Sequence, residues 1–214
     1  MPKCRTFHWT AIVPLLQKIS DTIKGGIHIG PVRIATDRLE LVQGNLELSR
    51  AELTDRPRFA SLLNARVLQW PPPLNDENSM RFSLDFYARN PDADGWGVWY
   101  FILNPEGDER IVIGNGGFKG KPSPEGTVEI GYSILDNYQK RGYGSEAVRA
   151  MLEWAFSHSK VHHVTAETLP ALTPSIRILE KNGFRFVGDG SEPGVIRYEI
   201  QRDAWKTNLR IRRQ

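Results

Sequence analysis

The chain has 214 residues, of which 40% are apolar and 25% are charged, as is typical of a globular protein with one substantial core. Its single cysteine, Cys4, excludes a framework of disulfides within the chain and any cysteine-rich metal site. No apolar run approaches the roughly 20 residues of a membrane span. We therefore expect a protein of a reducing compartment, the cytoplasm, with no membrane as a partner.

Positive charge is concentrated at the two ends of the chain. The net charge is +3, but residues 1–36 carry +4 and residues 206–214 carry another +4, which leaves −5 for residues 37–205. A mildly acidic central region suits a cationic amine substrate. The basic ends could contact nucleic acid or the ribosome, although basic tails that are only solvated are the more common case.

Three regions follow from the pattern of elements. Residues 1–35 are predicted to form an N-terminal extension with a short helix near Trp9–Thr22, and residues 207–214 a basic C-terminal tail. The domain between them, residues 36–206, begins with a strand at Arg38–Val42. Its further elements are predicted as helices at about 46–53, 56–64, 76–89 and 174–182, and strands at about 96–103, 110–118, 127–134, 164–168, 184–188 and 195–201.

The segment Thr127–Ile134 alternates cleanly between apolar and polar or small residues, which predicts a strand with two different faces. One face carries Val128, Ile130, Tyr132 and Ile134. The other carries Glu129, Gly131 and Ser133. Shortly after this strand, apolar residues recur from Ala147 to Phe156 at helical spacing, so the segment between the two elements joins a strand to a helix.

That connecting segment is rich in glycine and basic residues. Gly142 and Gly144 leave the backbone accessible, so an anion could reach the free N–H groups at the start of the helix. Lys140 and Arg141 add positive charge. The required Gly-Lys-Ser/Thr of a P-loop is absent, and so is the third glycine of a dinucleotide fingerprint. The pattern predicts a pyrophosphate cradle at residues 140–145, with a glycine turn that only starts the helix as the alternative.

The pattern Gln-x-x-Gly-x-Gly at Gln139–Gly144 resembles the acetyl-CoA signature of the GNAT N-acetyltransferases. Other segments resemble the RimJ/RimL-type branch of that family, in the same order and at similar spacing. These segments are Thr36–Leu41, Glu129–Tyr132, Pro174–Phe184 and Tyr198–Trp205. The resemblance covers residues 36–206 and is specific to the family, though not to a substrate.

The resemblance implies an α/β fold, with a mixed, mostly antiparallel central sheet of six to seven strands, flanked by helices and splayed at the acetyl-CoA site. It implies acetyl-CoA as co-substrate and direct attack by a primary amine in a ternary complex. No metal is expected, because His162 and His163 have no carboxylate or cysteine at ligand spacing. The acceptor would be a protein N-terminus or a small molecule, and a homodimer remains open. The residues implied to contact acetyl-CoA are Ile134, Leu135, Gln139, Lys140, Arg141, Gly142, Tyr143, Gly144 and Ser145.

Two residues are candidates for acid–base chemistry. The resemblance implies Glu129 as the base that deprotonates the amine, and the alternative is a strand glutamate in a cross-strand pair. It implies Ser175 as the partner of the leaving thiolate, and the alternative is a helix cap. Many GNAT enzymes have asparagine and tyrosine at two positions that are Leu172 and Leu179 in this chain.

Two further interpretations are open, and the missing tyrosine and asparagine suggest the second of them. An acetyltransferase that modifies antibiotics or polyamines would use the same cofactor and differ only in its acceptor pocket. A non-catalytic module that binds acyl-CoA or a protein partner would need neither residue. Intact Glu129 and Ser175 favour the enzyme.

Overall fold

The computed structural model describes residues 31–103 and 109–211, which form eight strands and six α-helices. The helix predicted near Trp9–Thr22 lies outside the described residues. In chain order the elements are β1 (Arg33–Ala35), β2 (Leu39–Gln43), α1 (Leu46–Thr54), α2 (Arg56–Leu63), α3 (Glu77–Arg89), β3 (Val98–Leu103), β4 (Ile111–Phe118), β5 (Thr127–Ile134), a 3₁₀ turn (Asp136–Tyr138), α4 (Tyr143–Ser157), β6 (His163–Thr168), α5 (Thr173–Lys181), β7 (Arg185–Asp189), β8 (Ile196–Gln201) and α6 (Arg202–Ile211).

The strands form one mixed sheet in the order β1-β2-β3-β4-β5-β6-β8-β7. Every neighbouring pair is antiparallel except β5 and β6, which are parallel, so the predicted fold class is confirmed. The sheet has eight strands rather than six to seven. The additional β1 pairs Ile34 with Leu41 of β2 and lies in the segment assigned to the extension. Three residues are too few for an alternating pattern to reveal a strand.

The sheet is splayed between β5 and β6, as predicted. These strands pair only from Thr127 opposite His163 to Ile130 opposite Ala166, although both continue further. The carbonyl of Glu129 accepts a hydrogen bond from the Lys119 amide on the β4 side, at 2.9 Å. Backbone groups along a strand alternate in direction, so those of Tyr132 face the gap on the other side of β5.

Apolar side chains pack on both faces of the sheet. Trp99 and Phe101 of β3 join the larger core, which includes the buried residues of α4. Tyr100 and Ile102 of the same strand join a second core with residues of α1 and α2. Burial on both faces explains why β3 is a nearly continuous apolar run.

A buried carboxylate in α1 anchors the proline-rich loop that follows α2. Glu52 accepts a hydrogen bond from the Tyr100 hydroxyl at 2.6 Å and another from the Trp70 indole at 3.0 Å. Trp70 begins the segment of three prolines, and the carbonyl of Pro73 accepts a hydrogen bond from Ser133 of β5 at 2.6 Å. Glu52 therefore fixes one end of a loop whose other end lies against β5.

We expect Glu52→Gln to make the stability of the protein less dependent on pH. Burial raises the pKa of Glu52, and the hydrogen bonds from Tyr100 and Trp70 oppose that shift without cancelling it. A group with a raised folded-state pKa contributes most stability below its unfolded pKa, and this contribution is lost as the pH rises through the folded value. As the pH rises from about 4 to 8, the melting temperature of the wild type should therefore fall relative to the melting temperature of Glu52→Gln.

The control for this prediction is Glu47→Gln, because Glu47 is an exposed carboxylate on the same helix, paired with Arg58. Its pH profile should run parallel to that of the wild type. Parallel profiles for Glu52→Gln as well would contradict the prediction.

The C-terminal segment is a helix up to Ile211, so the boundary predicted at residue 206 falls inside α6. Arg202 donates hydrogen bonds to the carbonyls of Phe156 at 2.6 Å and Val161 at 2.8 Å, and Trp205 stacks on Phe156. These contacts tie α6 to the end of α4. Among the described residues, no helix combines the length and apolar character needed to cross a membrane.

Candidate active site

The turn between β5 and α4 has an unusual backbone conformation. Lys140 has a φ of 59° and Gly142 a φ of 86°, so both residues are in the left-handed region. The Gln139 side chain donates hydrogen bonds to the Ile134 carbonyl and to the Asp136 carboxylate, each at 2.9 Å. Gln139 therefore stabilises the turn through these two hydrogen bonds. A left-handed lysine is uncommon and is a form of backbone strain that proteins often keep at functional sites.

The amides at the start of α4 are free. Gly142 is the N-cap and no side chain caps the helix, while the Glu146 amide donates to the Gly142 carbonyl at 3.1 Å. Within residues 31–103 and 109–211, the amides of residues 140–145 have no hydrogen-bond acceptor. A group of free N–H donors at the positive end of a helix is suited to a phosphate group.

The side chains of the turn divide into two groups. Lys140 and Arg141 are exposed, and Arg141 lies over the ring of Tyr138 at 5.9 Å. Gly144 and Ser145 are buried against α5. A Cβ at Gly144 would lie 2.9 Å from the side chain of Ile178, and the Ser145 hydroxyl accepts a hydrogen bond from Asn182 at 3.2 Å. The small side chains of Gly144 and Ser145 therefore determine how closely α4 packs on α5.

The two residues implied to follow the pantetheine arm differ in the structure. The Leu135 amide donates to the Ile113 carbonyl at 2.9 Å, so it offers no free N–H. The backbone groups of Ile134 face the gap between β5 and β6, since they follow those of Tyr132 in alternation. The Ile134 carbonyl already accepts from Gln139. The backbone groups of β5 that remain free at the gap are therefore those of Tyr132 and the amide of Ile134.

The polar face of β5 forms the floor of an open space. Glu129 pairs with Lys119 across the β4–β5 ladder, and its side chain remains 26% exposed. Gly131 is exposed, and a Cβ built there would meet no atom within 4 Å. Ser133 lies further along the same face, under Pro73. An acceptor could therefore approach the strand over Gly131, between Glu129 and the proline-rich loop.

Ser175 is not the cap of its helix. The N-cap of α5 is Leu172, and no side chain makes a capping hydrogen bond there. The Ser175 hydroxyl instead lies 3.1 Å from the hydroxyl of Tyr132, which is also 3.1 Å from the Ser175 carbonyl. Burial raises the pKa of Tyr132 to about 12, although the hydrogen bond with Ser175 acts in the opposite direction. Leu179, at the position of the usual tyrosine, is fully buried.

The sequence prediction did not include Tyr132 among the candidate site residues. Its place in the alternating pattern indicated a buried strand position, and nothing local shows that its hydroxyl meets Ser175, 43 residues later. In the part of the chain that the structure describes, no cluster of His, Cys, Asp or Glu could hold a metal ion.

Comparison with known families agrees with this fold. The sequence model described as "Acetyltransferase (GNAT) domain" matches residues 45–185, which is more than half of the chain. The chain therefore belongs to the GNAT acetyltransferase domain family and is an acetyltransferase enzyme.

Similar proteins cover most of the domain. The uncharacterized N-acetyltransferase YjdG of Bacillus subtilis is 26% identical over 156 residues, which are 72% of this chain and 89% of YjdG. The uncharacterized N-acetyltransferase p20 of Bacillus licheniformis is 34% identical over 116 residues, which are 54% of this chain and 64% of p20.

Solved structures show the same fold. A GNAT-family acetyltransferase from Bacillus anthracis superposes with a TM-score of 0.54 at 26% identity, covering 80% of this chain and 99% of that one. RimL, a ribosomal L7/L12 α-N-protein acetyltransferase in complex with coenzyme A, gives a TM-score of 0.58 at 16% identity, with 81% and 99% coverage.

Proposed function

We propose that this protein transfers an acetyl group from acetyl-CoA to a primary amine, by direct attack of the amine in a ternary complex. The observation that carries the proposal is the set of free amides at residues 140–145, at the end of the strand that borders the splay. The acceptor is a protein N-terminus or a small-molecule amine. The segments Glu129–Tyr132 and Pro174–Phe184 support membership of the RimJ/RimL-type branch.

The residues of the turn fit a pyrophosphate group. The free amides of residues 140–145 provide hydrogen-bond donors, and exposed Lys140 and Arg141 provide positive charge at the same end of α4. The backbone groups of Tyr132 and Ile134 border the gap, where an extended arm can add to the edge of β5. Bound acetyl-CoA supplies the thioester that reacts with the amine.

Glu129 takes a proton from the acceptor, directly or through water. Its carboxylate lies on the open face of β5, next to the unobstructed backbone of Gly131. Lys119 orients the carboxylate on this face, because the two side chains form an ion pair. Only the unprotonated amine can attack, so a positioned base raises the fraction of productive encounters.

Tyr132 and Ser175 return a proton to the leaving sulfur. Ser175 donates its hydroxyl proton, Tyr132 replaces it across the 3.1 Å hydrogen bond, and a solvent water then returns a proton to Tyr132. A hydroxyl has one proton, so Tyr132 donates either to the Ser175 carbonyl or to the Ser175 hydroxyl, and the relay uses the second of these bonds. Tyr132 thereby serves as the proton source that a tyrosine at the position of Leu179 would provide.

This relay predicts that Ser175→Ala and Tyr132→Phe each lower kcat by about 10-fold, less than the usual acid–base effect because water can partly replace them. The affinity for acetyl-CoA should not change. The double variant should be no slower than either single variant, because the two hydroxyls act as one unit. Steady-state kinetics and calorimetry on the three variants test this.

A matched control for the relay is Tyr198→Phe, which removes the hydroxyl of another buried tyrosine, in β8. It should retain full kcat. Full activity of Tyr132→Phe, or losses that multiply in the double variant, would contradict the relay and leave water as the proton donor.

The function itself is tested by thiol release from acetyl-CoA. The acceptor panel should contain N-terminal peptides, polyamines and aminoglycosides, with mass spectrometry to locate the acetyl group on the product. We expect release that depends on an acceptor and acetylation of a primary amine. Tight binding of acetyl-CoA without turnover on any acceptor would contradict the proposal.

A further inference from the structure

Arg38, in the turn between β1 and β2, reaches the start of α4. Its guanidinium donates to the Glu146 carboxylate at 2.6 and 2.8 Å and to the Arg141 carbonyl at 3.0 Å. It also lies over the ring of Tyr143, 4.6 Å from the centroid. One side chain therefore contacts both sides of the N-cap glycine from a distant part of the sequence.

The hydrogen bond to Arg141 fixes the direction of a peptide group. In a trans peptide the carbonyl and the following N–H point in opposite directions. Because the Arg141 carbonyl points at Arg38, the Gly142 N–H points away from Arg38, and Gly142 itself is exposed. A rotation of this peptide would replace the N–H by a carbonyl oxygen, which repels phosphate.

The contact between Arg38 and Glu146 neutralises a negative charge at the start of α4. Glu146 lies in the first turn of α4, where a free carboxylate would repel a bound phosphate. Burial acts to raise the pKa of Glu146, but hydrogen bonds from Thr36 and Arg38 outweigh burial, so the group is charged at neutral pH. The Thr36 hydroxyl at 2.6 Å and the Arg38 amide at 2.8 Å hold the carboxylate on the β2 side.

We infer that Arg38 is a positioning residue for acetyl-CoA: it orients the Arg141–Gly142 peptide and neutralises Glu146 beside the pyrophosphate. This inference rests on the proposed acetyl-CoA site. Arg38 acts through the turn and through Glu146, and it leaves the acid–base groups unaffected. Its loss should therefore change the binding of one substrate only.

Arg38→Met keeps the length and apolar stem of the side chain and removes the charge and the donors. We expect the Kd for acetyl-CoA, measured by calorimetry, to rise about 10-fold, as for the loss of a charge-assisted contact. The KM for acetyl-CoA should rise in parallel, while kcat and the KM for the acceptor stay unchanged. The control is Arg33→Met, which removes an ion pair with Glu40 from the same hairpin and should leave the Kd unchanged.

Two further variants separate the two effects of Arg38. Adding Glu146→Gln to Arg38→Met removes the unneutralised charge and should recover about half of the lost affinity on a logarithmic scale, if both effects are of similar size. Arg38→Lys keeps a positive charge near Glu146, but one ammonium lacks the fork that bonds Glu146 and the Arg141 carbonyl together, so its Kd should be intermediate.

Each outcome decides between the inference and the proposed function. If the wild type does not bind acetyl-CoA, the proposed function fails. If the wild type binds and Arg38→Met binds equally well with a lower melting temperature, Arg38 is only structural and the inference is overturned. If Arg38→Met does not fold, wild-type affinity in Arg38→Lys overturns the orienting role.

Discussion

Replacement of Glu129 by glutamine should lower kcat about 100-fold, within the usual range for loss of a general base, and leave the affinity for acetyl-CoA unchanged. Glutamine keeps the shape of the side chain, but it lacks the charge that pairs with Lys119 and cannot take a proton from the acceptor. The loss should be largest near neutral pH, where most of a primary amine is protonated, and smaller at high pH. Rates measured across the pH range with saturating substrates test this expectation.

The sheet offers a matched control for Glu129. Glu129 of β5 pairs with Thr165 of β6, which in turn pairs with Glu199 of β8. Glu199 therefore lies on the same face of the sheet, two strands away. Glu199→Gln removes a carboxylate that lies 3.2 Å from the His163 ring and should retain kcat. A near-normal rate for Glu129→Gln at every pH would instead mean that Glu129 only forms its cross-strand pair with Lys119.

Gly142→Val should weaken acetyl-CoA binding by about 10- to 100-fold, as for the loss of one or two hydrogen bonds to a charged group. Gly142 has a φ of 86°, which a β-branched residue strongly disfavours. A Cβ at this position would also lie 3.2 Å from the guanidinium of Arg38, so the side chain would displace the group that orients the turn. The free amides would then no longer point toward one anion.

The stability cost of a side chain at positive φ has to be separated from the effect on binding. Gly194 has a nearly identical φ of 83°, and a Cβ there would meet no atom within 4 Å. Gly194→Val should therefore lose similar stability, roughly 1–2 kcal/mol for the left-handed conformation, and keep its affinity for acetyl-CoA. Equal affinities of the two variants, measured by calorimetry, would remove the 140–145 turn as the pyrophosphate site.

Local patterns were enough to predict most elements. The predicted strand at 127–134 agrees with Thr127–Ile134, and the predicted helix at 46–53 agrees with Leu46–Thr54 within one residue. These elements carry a strong period of two or of about 3.6 residues, so their buried faces can be read from neighbouring positions. β1 is too short for such a pattern, and the five residues 207–211 of α6 are too few to be distinguished from a solvated tail.

The sequence by itself determined the fold family, the position of the turn at residues 140–145 and the alternation that places Glu129 on the polar face of β5. All of these rest on short motifs, and the residues within each motif are close together in the chain. Only the tertiary structure decided that Ser175 meets Tyr132 rather than capping α5, and that Arg38 holds the turn from 108 residues away at Glu146. Such contacts depend on how strands and helices pack, and a single sequence has no local signal for partners that meet only after the sheet has formed.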